Sequence, residues 1–349
     1  MILNEIKMYD RSNMFEVLAG FSDQVKTAFN IGQSVEIDEG TYKFNKIIIS
    51  GLGGSAIGGD LLRSFILYES PVPVFVNRNY KLPAFADKDT LVILSSYSGN
   101  TEETLSSYED AVNKNCSVIC ISSGGKLSLL AENNKQLLIK VPGGLQPRCA
   151  LGFSFFPLLI LMGKLGLISD KSGEINDVIN RLNIRAHQYS SLDENTNNAL
   201  KIAGYLEGKI PVIYSSIDFF DIVNLRWRGQ LGENAKTIAF GNYLPEMNHN
   251  EIVGWQENPE LLKKIAVITI RDKQDNLPVK KRMDITLELI KPLASLILQV
   301  EGEGNSLLER MFDVIYLGDW MSYYLAVINK TDPTPVEKIN YLKNKLSGN

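Results

Sequence analysis

Residues 46–60 read KIIISGLGGSAIGGD, and this stretch decides the fold class. The run 46–50 is short, apolar and rich in isoleucine, which is typical of a strand buried on both faces. Glycines follow at once, and the segment DLLRSFILYE that begins at Asp60 has a helical pattern. A strand, a glycine turn and a helix in this order predict an α/β fold built on a parallel sheet.

The same alternation continues along the rest of the chain. Apolar runs of strand length recur in both halves, with helical stretches between them. We predict strands over residues 46–50, 72–76, 91–96, 117–123, 136–142, 210–216, 236–240, 264–270 and 297–301. The pattern indicates two domains, 1–168 and 169–349, and in each a mainly parallel β-sheet lies between helices in a three-layer α-β-α sandwich.

Composition limits the classes of function. The chain has 349 residues and a net charge of −4, whereas general nucleic-acid binding needs a basic surface. Three cysteines, an odd and sparse set, argue against a disulfide framework and fit a reducing compartment. The N-terminus is charged and lacks the apolar core of a signal peptide. We therefore expect a cytoplasmic protein without a nucleic-acid partner.

Two long apolar stretches raise the question of a membrane span. The first begins at Ala150 but is interrupted by Pro157 and Lys164, so it falls short of the roughly 20 residues that cross a bilayer. The second, 307–328, contains four charged residues, which predict an amphipathic helix. These residues are Glu309, Arg310, Asp313 and Asp319. Neither stretch predicts contact with a membrane.

Polar segments follow several predicted strands. They are GLGGS (51–55), SSYSGNTEET (95–104) and GGLQPR (143–148). Ligands of open parallel sheets bind at the carboxyl ends of the strands, and hydroxyls beside a helix start suit a phosphate. Each segment also has a simpler interpretation: glycine turns are common, serine and threonine often cap helices, and Arg148 alone could form a surface ion pair. Their combination favours an anion site.

Other nucleotide and metal sites fit the sequence less well. The glycine loop matches the dinucleotide fingerprint only in part, because the third glycine is displaced and the strand 72–76 is followed by Asn77 and Arg78 instead of an acidic residue. A P-loop motif and a nucleophile elbow are both missing from the sequence. Two histidines and three scattered cysteines make no zinc pattern. We predict neither a metal nor a cofactor.

Six strings resemble the bifunctional phosphoglucose/phosphomannose isomerases, a branch of the phosphoglucose isomerase superfamily. They are GLGGSAIGGD, SSYSGNTEETL, QPRCALG, ENAKTIAFGN, EMNHNEIVGW and DPTPVEKINYLK. The resemblance implies two sugar-isomerase (SIS) domains. It also implies a metal-independent aldose–ketose isomerase that interconverts glucose 6-phosphate, and also mannose 6-phosphate, with fructose 6-phosphate through a cis-enediol.

The resemblance further implies a role for individual residues. The sugar phosphate would be bound by Gly54, Ser55, Ser96, Ser98 and Thr101. Glu233 corresponds to the base that moves a proton between C1 and C2, and Arg148 to the cation near the enediolate. His249 corresponds to a ring-opening residue that reaches the site from the partner subunit, which implies a homodimer. Lys343 corresponds to a lysine that assists ring opening, and Thr334 lies near a position linked to tolerance of both C2 epimers.

This chemistry is reasonable for these residue types. A carboxylate can carry one proton between neighbouring carbons, and an arginine can offset the charge of the developing enediolate. Two alternatives are a SIS protein that only binds a sugar phosphate as a regulator and a nicotinamide-dependent dehydrogenase. The first would predict loss of the base and ring-opening residues, which are present. The second lacks its acidic ribose ligand.

Overall fold

The strands form two parallel sheets. The structure, a computed structural model, describes residues 2–37, 40 and 42–346. The strands in this part of the chain are β1 (Lys46–Ser50), β2 (Val74–Asn77), β3 (Thr90–Ser95), β4 (Ser117–Ser122), β5 (Leu137–Lys140), β6 (Ile210–Ser216), β7 (Phe240–Leu244), β8 (Ile265–Arg271) and β9 (Leu296–Glu301).

Helices alternate with these strands as predicted. They are α1 (Ile2–Tyr9), α2 (Met14–Ala19), α3 (Phe21–Ser34), α4 (Gly53–Phe65), α5 (Glu102–Asn113), α6 (Gly125–Asn133), α7 (Leu151–Lys164), α8 (Ser172–Ser190), α9 (Asn198–Leu206), α10 (Asp221–Glu233), α11 (Pro259–Leu262), α12 (Leu277–Ile290), α13 (Leu307–Ile328) and α14 (Glu337–Leu346). Short 3₁₀-helices cover Pro147–Cys149, Glu246–His249 and Glu251–Gly254.

Both sheets wind in the same way. Among the described strands the first sheet has the order β2-β1-β3-β4-β5, and the second has β7-β6-β8-β9. All of these pairs are parallel, which confirms the α/β class. The order reverses between β1 and β3 and again between β6 and β8, and the carboxyl ends of such strands are where ligands bind.

The apolar runs of the sequence form the cores. In the first sheet, Ile48, Val92 and Cys120 pack with Tyr108 of α5 and Leu127 of α6. In the second sheet, Val212, Tyr214 and Val267 pack with Met283 and Leu287 of α12. Burial of both faces explains why these strands are continuously apolar and why the predicted positions agree closely with the structure.

Contacts divide the chain into two compact units. We call Gly20–Asn183 with Asn305–Glu309 the N-terminal unit, and Met1–Ala19, Ile184–Gly304 and Arg310–Asn349 the C-terminal unit. This grouping differs from the proposed division into 1–168 and 169–349. The first helices contact α13, because the Tyr316 hydroxyl donates to Leu18 O at 2.7 Å and the Tyr323 hydroxyl donates to Asp10 Oδ2 at 3.0 Å. Helix α8 contains the residues at which the chain passes from one unit to the other.

One predicted strand is wrong. The prediction was 236–240, but β7 covers Phe240–Leu244. Helix α10 ends at Glu233, and the chain then turns through Lys236, whose φ of 54° is left-handed and incompatible with a strand. The Thr237 N–H donates back to Leu231 O at 3.0 Å, so the chain becomes extended only after this turn.

The prediction that α13 is an amphipathic helix is wrong. Its four charged side chains are all buried, and each forms an ion pair. The pairs are Arg181–Glu309, Arg185–Asp313, Arg226–Asp319 and Arg310–Asp272. Pairing removes the need for a solvated face, because a buried charge is tolerated when an opposite charge is close. None of the described helices has the length and the hydrophobicity that crossing a bilayer requires.

Candidate active site

The glycine turn after β1 brings α4 against the segment that carries Arg148. A Cβ atom at Gly54 would collide with the backbone carbonyl of Pro147, so only glycine permits this close approach. Ser55 lies in the first turn of α4 and is 6% exposed. Its Oγ accepts a hydrogen bond from the Tyr97 N–H at 3.2 Å, which joins the β1 and β3 ends.

Hydroxyl groups surround the turn between β3 and α5. Ser96 Oγ donates to Thr101 Oγ1 at 3.0 Å and accepts from the Gly99 N–H at 3.1 Å. Ser98 Oγ accepts from the Asn100 N–H at 3.3 Å. Thr101 precedes α5 without a side-chain bond to the helix N–H groups. Helix capping therefore does not explain Thr101.

Arg148 is buried, so the alternative of a surface ion pair is wrong. It lies in the 3₁₀-helix Pro147–Cys149 and is 3% exposed. The preceding loop is fixed because the Tyr97 hydroxyl accepts from the Leu145 N–H at 3.1 Å. The loop end is fixed as well, because Gln24 Nε2 donates to Cys149 O at 2.8 Å. The N-terminal unit thus brings the predicted hydroxyls and a guanidinium into one region.

This region can bind an anion. The α4 and α5 N-termini lack side-chain caps, and helix N-termini favour negative charge. Hydroxyl groups supply additional donors, as phosphate oxygens require. The predicted phosphate-binding residues therefore lie together in the N-terminal unit, as expected from the carboxyl ends of β1 and β3.

Glu233 lies on a cavity of 570 Å³ in the C-terminal unit. It is the last residue of α10 and is half-buried. The cavity is lined by Arg228, Gly229, Gly232, Glu233, Lys236, Thr331, Asp332, Pro335, Val336, Glu337, Lys338 and Ile339. Its walls are therefore the end of α10, the turn after it and the segment that leads into α14. A carboxylate beside a cavity of this size is placed to act on a small ligand.

Lys236 connects two walls of this cavity. Its Nζ donates to Glu233 O at 2.5 Å and to Pro333 O at 3.1 Å. Lys236 is part of the ENAK string, to which sequence reasoning gave no separate role for the lysine. The signal was present, because a lysine three residues after a helix-terminal glutamate can reach back to the last carbonyl groups of the helix.

The residues assigned to ring opening and to epimer tolerance lie outside the lining of this cavity. His249 is exposed at the end of the 3₁₀-helix Glu246–His249. Lys343 is exposed on α14. Thr334 is half-buried between two lining residues, and its N–H donates to Asp332 Oδ1 at 3.0 Å. The structure of a single chain thus does not bring His249 or Lys343 to the Glu233 cavity.

The chain matches a described family and several curated relatives. Residues 195–346 match the family described as bacterial phospho-glucose isomerase C-terminal SIS domain. A bifunctional phosphoglucose/phosphomannose isomerase of Caldicellulosiruptor bescii is 45% identical over 335 residues, which are 96% of this chain and 99% of that protein. The enzyme of the same name from Aquifex aeolicus is 37% identical, over 95% of this chain and 98% of its own.

Solved structures support the same fold. A hypothetical protein from Thermus thermophilus has a TM-score of 0.76 at 13% identity, covering 100% of this chain and 94% of its own. A glucose-6-phosphate isomerase like protein from the same organism has a TM-score of 0.65 at 14% identity, covering 95% of this chain and 96% of its own. From the sequence relatives, the chain belongs to the bifunctional phosphoglucose/phosphomannose isomerase family and is an isomerase.

Proposed function

We propose that this chain interconverts glucose 6-phosphate and mannose 6-phosphate with fructose 6-phosphate through a cis-enediol, without a metal or another cofactor. The observation that carries this proposal is the position of Glu233, the matching carboxylate of the family motif, on a cavity of 570 Å³ at the end of a helix. The family membership supplies the substrates, since the relatives are named for both sugar phosphates. A purely regulatory SIS protein would not need this carboxylate.

The phosphate group is bound by the N-terminal unit. Gly54 lets α4 approach the Pro147 carbonyl. The hydroxyls of Ser55, Ser96, Ser98 and Thr101 bind the phosphate oxygens, and for this the Ser96 hydroxyl turns from Thr101 Oγ1 to the phosphate. Binding energy from this remote group holds C1 and C2 in place during the reaction. The chain therefore needs no lysine cluster for its phosphate.

Glu233 is the base that transfers the proton. Its carboxylate removes the proton from C2 of the open-chain aldose, and the electrons of that C–H bond form the C1=C2 bond of the enediol while the C1 carbonyl oxygen gains negative charge. Arg148 offsets that charge, because a guanidinium stays protonated and offers several donors. The proton of the C2 hydroxyl passes to the O1 oxyanion, the same carboxyl group returns the carbon-bound proton to C1, and C2 becomes the ketone carbon.

Ring opening requires His249 and Lys343. His249 exchanges a proton with the ring oxygen or the anomeric hydroxyl, since an imidazole has one nitrogen that can donate and one that can accept. Its exposure and its position away from the Glu233 cavity of its own chain support its donation to a partner subunit in a homodimer. Thr334, in the segment that lines the cavity, sets tolerance for both C2 epimers. The enzyme works in the cytoplasm.

A time course by NMR tests the proposal. Fructose 6-phosphate in D₂O with EDTA should give glucose 6-phosphate and mannose 6-phosphate, both deuterated at C2. Glu233→Gln should lower the rate by about 10²–10⁴-fold, the usual contribution of a general base, while fructose 6-phosphate still raises the melting temperature. Glu260→Gln, at an exposed carboxylate, is the control. Binding without any product from the native chain would contradict the proposal and favour a regulator.

Hybrid dimers test the shared site. Glu233→Gln and His249→Ala chains should each be inactive as homodimers, but a mixed dimer contains one site with both native residues. Mixing the two variants and allowing their subunits to exchange should therefore restore part of the activity. Confirmed exchange without recovery would contradict the donation of His249 across an interface.

A further inference from the structure

The segment that carries His249 is fixed on its N-terminal side. Met247 is 0% exposed in the core of the second sheet. Asn248 Nδ2 donates to Thr286 Oγ1 of α12 at 2.8 Å. His249 follows directly and is exposed. The chain therefore presents an exposed imidazole immediately after two anchored residues.

The C-terminal side is fixed by Glu251. Its Oε1 accepts from the Tyr214 hydroxyl of β6 at 2.5 Å, and its Oε2 accepts from Asn242 Nδ2 of β7 at 2.8 Å. Each carboxylate oxygen thus bonds to a different strand, which fixes both the position and the rotation of the group. Hydrogen bonds to an ionised acceptor are about twice as strong as those between neutral groups.

Tyr214 can form this bond in one direction only. It is 1% exposed, and burial together with the Glu251 carboxylate raises the pKa of its hydroxyl well above the usual range. The hydroxyl therefore stays protonated and has one proton to donate, which goes to Glu251. Its oxygen also accepts from Trp255 Nε1 at 3.0 Å. The indole thus orients the phenol, and the phenol orients the carboxylate.

The residue that follows His249 makes local bonds. Asn250 Nδ2 donates to Glu246 Oε1 at 2.9 Å, and Asn250 Oδ1 accepts from the Glu251 N–H at 2.6 Å. These bonds shape the turn but do not attach it to the sheet. The first attachment to the sheet on the C-terminal side of His249 is therefore the side chain of Glu251, and Trp255, whose indole donates to Tyr214, follows four residues later.

We propose that Glu251 is a positioning residue for His249. It holds the turn against β6 and β7 so that the imidazole is presented in one place. The inference rests on the proposed function, because it assigns the consequence to the ring-opening step. Misplacement of a reacting group by about 1 Å can cost about 10²-fold in rate, so the anchor affects ring opening without touching substrate.

Hydrogen exchange tests the anchor without any catalytic assay. Amides of the segment 246–255 should exchange at least about tenfold faster in Glu251→Gln and in Tyr214→Phe than in the native chain. The first variant disturbs the bonds of the anchoring carboxylate, and the second removes the bonds that the phenol makes to Glu251 and to Trp255. Tyr316→Phe is the matched control, because it also removes a buried hydroxyl, which donates to Leu18 O at 2.7 Å in the same unit. Unchanged exchange in both anchor variants would overturn the proposal, whether or not the chain is an isomerase.

Anomerisation isolates ring opening. In a Glu233→Gln background, exchange between the α and β anomers of glucose 6-phosphate, measured by NMR, reports ring opening without proton transfer at carbon. Adding Glu251→Gln should slow the catalysed exchange by about 10–100-fold. Native-like anomerisation despite a loosened segment would overturn the positioning role.

Reciprocal substitutions at Glu251 and Asn242 distinguish a positioning role from a general loss of structure. Glu251→Gln places an amide against the Asn242 amide, so two donors can oppose each other. Adding Asn242→Asp restores a donor and an acceptor, and the acid can still accept the Tyr243 N–H that Asn242 Oδ1 accepts at 2.8 Å. The double variant should recover anomerisation to within about threefold of the background, since the pair is complementary again. Failure to recover, with a folded segment by hydrogen exchange, would contradict the proposal.

Discussion

Replacing Arg226 by methionine removes the partner of a carboxylate buried on α13. Arg226 Nη2 donates to Asp319 Oδ2 at 2.7 Å, and the two side chains are 3% and 5% exposed. The other oxygen, Oδ1, accepts from Gln230 Nε2 at 2.8 Å. Arg226→Met therefore leaves a buried carboxylate with one neutral donor and without its cation.

The structure sets the size of the effect. Removing one partner of a buried ion pair costs about 3–5 kcal/mol, because the remaining charge has lost its compensation. We expect Arg226→Met to lower the free energy of unfolding by about 4 kcal/mol at pH ~8, measured by urea denaturation. Adding Asp319→Asn removes the stranded charge and should recover about half of this loss.

The pH dependence of the free energy of unfolding provides a second test of this buried pair. Burial raises the pKa of Asp319 above its ordinary value of 3.8, so the folded chain binds this proton more tightly than the unfolded chain. The stability from protonation is therefore complete below pH 3.8 and is lost as pH rises through the raised pKa. Arg226 opposes this rise in pKa. Its removal should therefore matter less at pH ~5 than at pH ~8.

The control is a half-buried arginine whose carboxylate partner is exposed. Arg271 pairs with Asp284, and these side chains are 20% and 64% exposed. Arg271→Met should change the free energy of unfolding by less than about 1 kcal/mol. If Arg226→Met costs no more than this control, or if its cost does not decrease at the lower pH, the argument from buried charge is wrong.

Three further predictions concern the phosphate site and the thiols. Gly54→Ala should raise KM for fructose 6-phosphate at least about tenfold, because its methyl group displaces Pro147; an unchanged KM would count against the close approach. Thr101→Val keeps the shape but removes a hydroxyl, so KM should rise while the melting temperature changes little, as thermal scanning would show. A thiol reagent should label at most Cys116 in the folded chain, since the other thiols are buried and burial raises the pKa of Cys120 to about 12; fast labelling of a second thiol would refute this.

The parts of the fold that depend on neighbouring residues could be predicted from the sequence. The run from Lys46 to Asp60 forms β1, a glycine turn and α4, because strand length, glycines and helix pattern all act locally. The hydroxyls after β3 could be predicted for the same reason, because they follow the carboxyl end of a parallel strand, which is where ligands of such sheets bind.

The parts that depend on distant residues could not be predicted. The charges on α13 look solvated in the sequence, but Asp319 pairs with Arg226 and Arg310 pairs with Asp272. No local pattern reveals a partner that is tens of residues away. The start of β7 was misplaced because a left-handed residue, Lys236, interrupts an otherwise extended sequence.

The repeated winding of the two sheets bears on how many phosphates one chain can hold. In the second sheet the order reverses between β6 and β8, the counterpart of the place where the first sheet carries its hydroxyl groups. There Asp275 accepts from the Ser216 hydroxyl at 2.5 Å and from the Asp272 N–H at 2.8 Å. A carboxyl group of the chain itself thus takes the hydroxyl and the backbone donor that an incoming phosphate would need. These donors of the second crevice are engaged within the chain, and the stoichiometry expected from the architecture is one sugar phosphate per chain.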